Sequence, residues 1–304
     1  MNWKRACSTV LFTISLAVLA VSGYELGSYL HEEAQSDSLQ RELAAFRSEE
    51  YVAITDTAEQ SDRETAGLFT GFEAELNAEI AFMDGNTDAA EIGSYNDEAS
   101  EKTIDNDSES YPVAVSSHGI ASLNAKNPDC VAWITIEGTV IDYPVMYKPD
   151  HKDYYLHRDF NGKRSSNGTL YISEICNPYT SDNVIIYGHH MSSGKMFAAL
   201  NKYKKQSFYE EHRYITFETL EGVHIYEVIF ALTTPVYTGH DFKYYSFANA
   251  SGPRSFDSYI SACAARTLYD TGVTAEYGDH LLTLSTCEYS QDNGRMLVVA
   301  KRID

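Results

Sequence analysis

Eight short runs rich in β-branched and aromatic residues constrain this chain of 304 residues more than any other feature. Glu-Gly, Asn-Gly and Asp-Asn-Gly turn signals separate several of them, as is typical of short strands. The runs lie at 131–136, 140–145, 169–172, 183–187, 214–218, 225–232, 280–286 and 295–301. So many strands within 118–304 predict a mainly β fold, an eight-stranded closed or nearly closed β-barrel. Helices are fewer, with candidates at 196–204 and at 256–268, the second with Ser255 as its N-cap.

An uncharged apolar run at 6–24 follows Lys4 and Arg5. Its length suits a helix that crosses a bilayer, and the basic residues before it place the N-terminus in the cytoplasm. A cleaved signal peptide is the alternative, because Ala-Val-Ser at 20–22 is a tolerable cleavage site. We favour the uncleaved anchor because the run is long for a signal peptide. The sequence therefore predicts a single-pass membrane protein whose C-terminal domain is extracytoplasmic.

The net charge of −21 belongs mostly to one segment, since residues 31–110 hold 22 acidic and 4 basic side chains. A helix-forming stretch at 39–46 gives way to polar, acidic sequence at 84–117, which is typical of segments that do not order themselves. We predict an anchor at 1–30, an acidic, partly helical or disordered stalk at 31–117 and a folded domain at 118–304. The stalk is expected to be a solvated spacer, with a cationic partner as the alternative. The negative charge disfavours nucleic acid as a partner.

The five cysteines are an odd number without C-x-x-C spacing, so they predict neither a zinc ribbon nor a disulfide framework. The sequence holds no calcium-loop motif either, and we predict that the protein needs no metal and no cofactor. Cys130, Cys176 and Cys263 lie in or beside apolar or turn segments and are expected to be packing residues. Cys7 lies within the membrane run.

The fifth cysteine, Cys287, ends an apolar strand, and a second strand begins at Arg295. If the two strands form a hairpin centred on Gln291, Cys287 and Arg295 face each other across it. A cation at that distance favours the thiolate form, which makes Cys287 a credible nucleophile. Ser285 lies on the same strand face as Cys287 and is a candidate substrate contact.

A thiol that attacks an amide also needs a proton donor for the leaving amine, and histidine is the usual choice. His189 and His190 follow the apolar strand at 184–187 and Gly188, at a strand end where a cleft can form. Alone, this pair of histidines would not identify an enzyme.

Together these residues resemble a class B sortase, a cysteine transpeptidase of Gram-positive cell surfaces. The matching segments follow the family order from about 117 to 304, and their combination is highly specific. They are WITIEGTVIDYPV at 133–145, YYL at 154–156, DF at 159–160, YGH at 187–189, MF at 196–197, LYDTGV at 268–273, LTLSTC at 282–287 and Arg295. The sequence departs from the family at His151, where many relatives have Asn, and in its longer acidic extension.

The resemblance implies a sortase-type β-barrel, with the helix near 256–268 between late strands. It implies Cys287 as nucleophile, His189 as general acid and base, and Arg295 as the group that orients the substrate and stabilises the oxyanion. The backbone amide of Glu288 helps to form the oxyanion hole in the family. Leu156 and Tyr187 are further substrate-binding candidates, whereas His190 is secondary.

The resemblance also implies the reaction and its partners. Secreted proteins with a C-terminal sorting signal would be cleaved after Thr in a motif of the Asn-Pro-x-Thr type, or of the Leu-Pro-x-Thr type in pilus-building members. The acceptor would be an amine of a peptidoglycan precursor or a pilin lysine. A hydrolytic extracellular cysteine protease and a non-catalytic surface adhesin are the alternatives.

Overall fold

The eight predicted strands are all present and close into a barrel. The computed structural model describes residues 11–47, 118–237, 239, 242–290 and 292–304. Neighbouring strands follow the order β1-β2-β3-β4-β7-β8-β6-β5, which confirms the predicted eight-stranded fold. The strands are β1 (Cys130–Thr135), β2 (Asp142–Met146), β3 (Leu170–Ile172), β4 (Asn183–Tyr187), β5 (Tyr214–Thr219), β6 (Gly222–Pro235), β7 (Leu281–Glu288) and β8 (Gly294–Arg302).

The hydrophobic core draws on every side of the barrel. Ile134 of β1, Ile185 of β4, Leu284 of β7 and Val298 of β8 are all fully buried in one cluster. The longest strand, β6, pairs with β5 along one part of its length and with β8 along the other. Pairing therefore extends β6 beyond the predicted 225–232, because its polar ends are held by backbone hydrogen bonds rather than by an apolar pattern.

Short helices precede or connect the strands of the barrel. They are α2 (His118–Lys126), α3 (Gln206–Glu211), α4 (Pro253–Ala264) and 3₁₀ helices at Tyr154–His157, Phe197–Lys204 and Tyr244–Ser246. The N-cap predicted for α4 is wrong, because Gly252 rather than Ser255 occupies that position. Pro253 then takes the first helical position, where its fixed φ and missing N–H cost nothing. The chain order places α4 between β6 and β7, as the resemblance implied.

The N-terminal helix α1 (Leu11–Arg47) is one continuous element of 37 residues. Its first part exposes large apolar side chains and is long and apolar enough to cross a membrane. Its last part packs on the barrel domain, where Leu43 is buried in a cluster with Ile120, Leu123 and Trp133. The helix-forming stretch at 39–46 therefore continues the apolar helix. Most of the predicted stalk, at 48–117, and Cys7 lie outside the described residues.

Candidate active site

The site lies where two neighbouring parallel strands end. In the pairing of β4 with β7, Tyr187 lies beside Ser285. His189 and Cys287 each follow two residues later, and parallel strands end at the same edge of a sheet. The topology therefore brings the predicted histidine and cysteine, 98 positions apart in sequence, to one cleft.

Cys287 and Arg295 are directly paired across the β7–β8 hairpin, as predicted from the sequence. Directly opposed residues have Cβ atoms about 4.5–5.5 Å apart, so the guanidinium can reach a group bound at the sulfur. Arg295 donates a hydrogen bond from Nη1 to the Gly294 carbonyl, 2.9 Å away, and lines the cleft with Cys287.

Cys287 is only half-buried, which distinguishes it from the other described cysteines. Burial raises the pKa of the Cys130 and Cys263 thiols to about 12 and that of Cys176 to about 11. Those three remain protonated thiols at neutral pH, in agreement with the predicted packing role. Cys287 is thus the one described cysteine that a substrate can reach.

His189 is held by the turn that carries Leu156. Its Nε2 lies 2.7 Å from the Leu156 carbonyl oxygen, so Nε2 donates a hydrogen bond and Nδ1 keeps the lone pair. Burial, with a smaller contribution from the neighbouring His157, lowers the pKa of His189 although the Leu156 hydrogen bond opposes this. The ring is therefore neutral at neutral pH and carries a basic nitrogen.

Two glycines allow close packing of the backbone around His189 and its hydrogen-bond partner. A Cβ on Gly188 would lie 2.3 Å from Leu170 Cδ2 and 2.7 Å from Phe197 Cδ2, so only glycine fits directly before His189. Gly168 adopts a φ of +60°, and a Cβ there would lie 2.3 Å from the Leu156 oxygen. Both contacts let the chain close tightly around His189 and its hydrogen-bond partner.

Six of the seven predicted site residues line one cleft of about 320 Å³. They are Leu156, Tyr187, His189, Ser285, Cys287 and Arg295. Ser285 is almost fully buried and its hydroxyl lies 2.8 Å from that of Tyr244, so it also supports the wall of the cleft. The cleft is also lined by Tyr237, Tyr244 and Tyr245, which were not predicted because they lie between β6 and α4, where no periodic pattern singles them out.

The side chain of the seventh residue, Glu288, is buried and pairs with Lys204. It also accepts hydrogen bonds from the backbone N–H and the hydroxyl of Ser290. Burial opposes ionisation, but the hydrogen bonds from Lys204 and Ser290 outweigh it and lower the pKa of the Glu288 carboxyl. The charged carboxylate thus holds the turn that follows Cys287.

Asn201 and His190 form a second support, which the sequence did not indicate. His190 Nδ1 lies 3.1 Å and Asn201 Nδ2 lies 3.3 Å from the Cys287 carbonyl oxygen. Together they hold the backbone of the nucleophile candidate from the side opposite the hairpin partner. Among the described residues, no group of three or more His, Cys, Asp or Glu side chains could hold a metal ion.

The chain is similar to known proteins over most of the barrel domain. The sortase domain family matches residues 134–303. Sortase B of Listeria monocytogenes is 34% identical over 188 residues, which cover 60% of this chain and 74% of the relative. Sortase B of Staphylococcus aureus is 33% identical over 187 residues, which cover 60% of this chain and 73% of the relative.

Solved structures show the same likeness in three dimensions. The Staphylococcus aureus sortase B–substrate complex superimposes with a TM-score of 0.57 at 30% identity and covers 62% of this chain and 86% of that one. Clostridium perfringens sortase B gives a TM-score of 0.56 at 29% identity and covers 60% of this chain and 99% of that one. The chain therefore belongs to the sortase family of cysteine transpeptidases and is similar to its class B members.

Proposed function

We propose that the protein is a membrane-anchored class B sortase that joins secreted proteins to an amine at the cell surface. The observation that carries this proposal is the direct pairing of Cys287 with Arg295 in the cleft that also holds the neutral His189. A nucleophile, a fixed cation and a proton carrier in one accessible cleft are what acyl transfer through a thioester requires.

In the first step, the neutral His189 accepts the proton of the Cys287 thiol at Nδ1, and the resulting thiolate attacks the carbonyl carbon of Thr in the sorting motif. The Arg295 guanidinium and the backbone amide of Glu288 stabilise the negative charge that forms on the carbonyl oxygen. The C–N bond then breaks, and the departing amine takes the proton from Nδ1 of the His189 imidazolium. Nδ1 performs this transfer because the Leu156 carbonyl occupies Nε2. A thioester on Cys287 results.

In the second step, the acceptor amine attacks the thioester. His189 now accepts a proton from the amine at Nδ1, Cys287 leaves as a thiolate, and that proton then returns from His189 to the sulfur. The products are a new amide bond and the free enzyme. Ser285, Leu156 and Tyr187 line the cleft where the motif would lie.

The substrates follow from the similarity to sortase B. We expect a C-terminal sorting signal of the Asn-Pro-x-Thr type, with Leu-Pro-x-Thr signals as the comparison set. The acceptor would be a peptidoglycan precursor amine in wall anchoring or a pilin lysine in pilus assembly on a Gram-positive surface. No metal or cofactor takes part in either step.

The domain organisation suits this role. The exposed apolar part of α1 is the candidate anchor, in a segment 1–30 that starts in the cytoplasm. Residues 31–117 would contain the acidic stalk, and 118–304 would be the extracytoplasmic catalytic domain.

The test is incubation of the full chain in detergent micelles with a panel of sorting peptides, each with and without amine acceptors, followed by mass spectrometry. We expect cleavage after Thr and an amide product when the amine is present. Cleavage that yields only the carboxylic acid, even with excess amine, would favour the hydrolytic protease. If a thiol-directed substrate mimic leaves Cys287 unlabelled and no peptide is cleaved, the protein is a non-catalytic surface protein.

A further inference from the structure

Helix α1 contacts the two segments that hold His189. The side chains of Tyr29, Glu33, Ser36 and Asp37 lie on one face of the helix, since they are spaced by about one or two turns. Glu33 and Asp37 form ion pairs with Lys195, at 2.8 and 2.5 Å. This polar face therefore meets the catalytic domain well before the apolar packing of Leu43 begins.

The loop at 190–196, which carries Lys195, directly follows His189, and the base of the loop is hydrogen-bonded to the His189 backbone. His190 and Met196 pair across its base, and the Phe197 amide donates to the His189 carbonyl at 2.9 Å. Ser192 and Ser193 of the loop also lie close enough to Tyr29 and Glu33 of α1 to affect the pKa values of those two side chains. A shift of this loop would therefore move the backbone of His189.

A second contact links α1 indirectly to the turn that carries Leu156. Asn167, which is nearly fully buried, donates a hydrogen bond to the Ser36 hydroxyl at 3.1 Å. The next residue, Gly168, packs against the carbonyl of Leu156, the hydrogen-bond partner of His189. Helix α1 thus touches the loop that follows His189 directly, and through Asn167 it supports the segment that packs on the turn orienting the His189 ring.

The opposite charges at this contact shift the pKa values of Glu33 and Lys195 toward their charged forms. Hydrogen bonds from Lys195 and Tyr29 lower the pKa of the Glu33 carboxyl despite partial burial. Burial would lower the pKa of Lys195, but Asp37 and Glu33 outweigh it and raise that pKa. Glu33 and Lys195 are therefore both charged at neutral pH, and the lysine is only 27% exposed, which limits screening by water.

We propose that α1 is a positioning element for the active site. In this proposal α1 holds His189 in place through Lys195, which is ion-paired with Glu33 and Asp37. The proposal rests on the proposed function, because it assigns His189 the proton transfer. One helix would then serve as anchor and as support for the catalytic loop. Tyr24 and Asp37 are 13 residues apart, so α1 places this contact about 20 Å along its axis from the end of the apolar run.

The test compares Lys195→Met, Lys195→Arg and the pair Glu33→Gln/Asp37→Asn with the wild-type full chain in lipid nanodiscs. Lys301→Met is the matched control, because Lys301 is also ion-paired, with Asp279 at 3.6 Å, and is similarly exposed. Turnover and KM for a sorting peptide are measured together with amide hydrogen exchange of residues 191–196.

We expect Lys195→Met to lower kcat about tenfold, with KM changed less than twofold, since a small displacement of a catalytic group acts on the reaction more than on binding. Lys195→Arg should retain most of the activity, and Lys301→Met should match the wild type. Combining Lys195→Met with the Glu33/Asp37 pair should add no further loss, because both remove one contact. Exchange at 191–196 should accelerate in Lys195→Met but not in Lys301→Met.

Unchanged kcat in Lys195→Met, or additive losses in the combined variant, would overturn the proposal. So would equal exchange at 191–196 in Lys195→Met and wild type, whatever the activity. If the wild type joins no peptide to an amine while the exchange difference is present, the proposed function fails and the support of the loop by α1 stands.

Discussion

Cys287 and Arg295 are a directly opposed pair in the antiparallel hairpin of β7 and β8. Backbone hydrogen bonds of the hairpin hold this register, so the pairing of the two residues does not depend on a flexible loop. Two roles follow for the arginine. Its charge can stabilise negative charge that develops in the cleft, and its planar fork of donors can hold a substrate carbonyl and the oxyanion together.

Arg295→Lys separates these two roles, because lysine keeps the charge and loses the fork. We expect turnover at saturating sorting peptide to fall by about 10²-fold or more, the scale for loss of one oxyanion donor. The pH dependence of Cys287 alkylation, measured in parallel, should change little. Near-normal turnover in the lysine variant would leave the arginine only its electrostatic role.

Cys287→Ala should abolish both peptide cleavage and amine transfer, because no other described cysteine is accessible. Cys130→Ala, Cys176→Ala and Cys263→Ala each remove a small buried group and should lower the free energy of unfolding by about 1–3 kcal/mol while turnover persists. Mass spectrometry of the products and urea unfolding measure the two effects. Loss of turnover in one of these three variants, with its stability intact, would assign the nucleophile elsewhere.

The lowered pKa of His189 predicts a pH dependence of stability. The unfolded chain has an ordinary histidine with a pKa of about 6.5 and so binds a proton more readily than the folded protein does. The free energy of unfolding should therefore begin to fall as the pH drops through 6.5. It should stop falling once the pH is below the lower pKa that His189 has in the folded protein. His189→Asn lacks this contribution, and its urea midpoint should fall less between pH 7.5 and pH 5. Parallel pH curves for the two proteins would contradict the lowered pKa.

The sequence predicted the parts of the site that depend on local pairing. The hairpin register of Cys287 and Arg295 follows from a short symmetric connection, and the place of His189 follows from an apolar strand that ends directly before Gly188. Both signals are local, so tertiary packing had little opportunity to alter them.

The contacts that the sequence did not predict are long-range and polar. The face of α1 with Glu33 and Asp37 has the pattern of a solvated surface, and its partner Lys195 is more than 150 residues away. Tyr244 lies in a segment without strand or helix periodicity, and the hydrogen bond that places it involves Ser285. No pattern along the chain distinguishes such pairs from ordinary surface residues.

The docked end of α1 predicts how the catalytic domain responds to truncation. A chain that begins at residue 118 retains the closed barrel and its core, so we expect it to fold. It loses the burial of Leu43, a side chain whose packing is worth about 1.5–3 kcal/mol. It also loses Arg47, whose Nη2 lies 2.6 Å from the nearly buried carboxylate of Glu218.

We therefore expect the chain that begins at residue 118 to unfold at lower urea than a chain that begins at residue 27, and to turn over sorting peptide more slowly. The shorter chain also lacks residues 48–117, so a control must separate their loss from the loss of the helix. Arg47→Met in the chain from residue 27 is that control, because it removes a contact of α1 and keeps residues 48–117. This variant leaves Glu218 without its cation, and we expect a loss of about 1–3 kcal/mol in the free energy of unfolding. Equal urea midpoints and equal turnover in all three proteins would show that the barrel needs no support from α1.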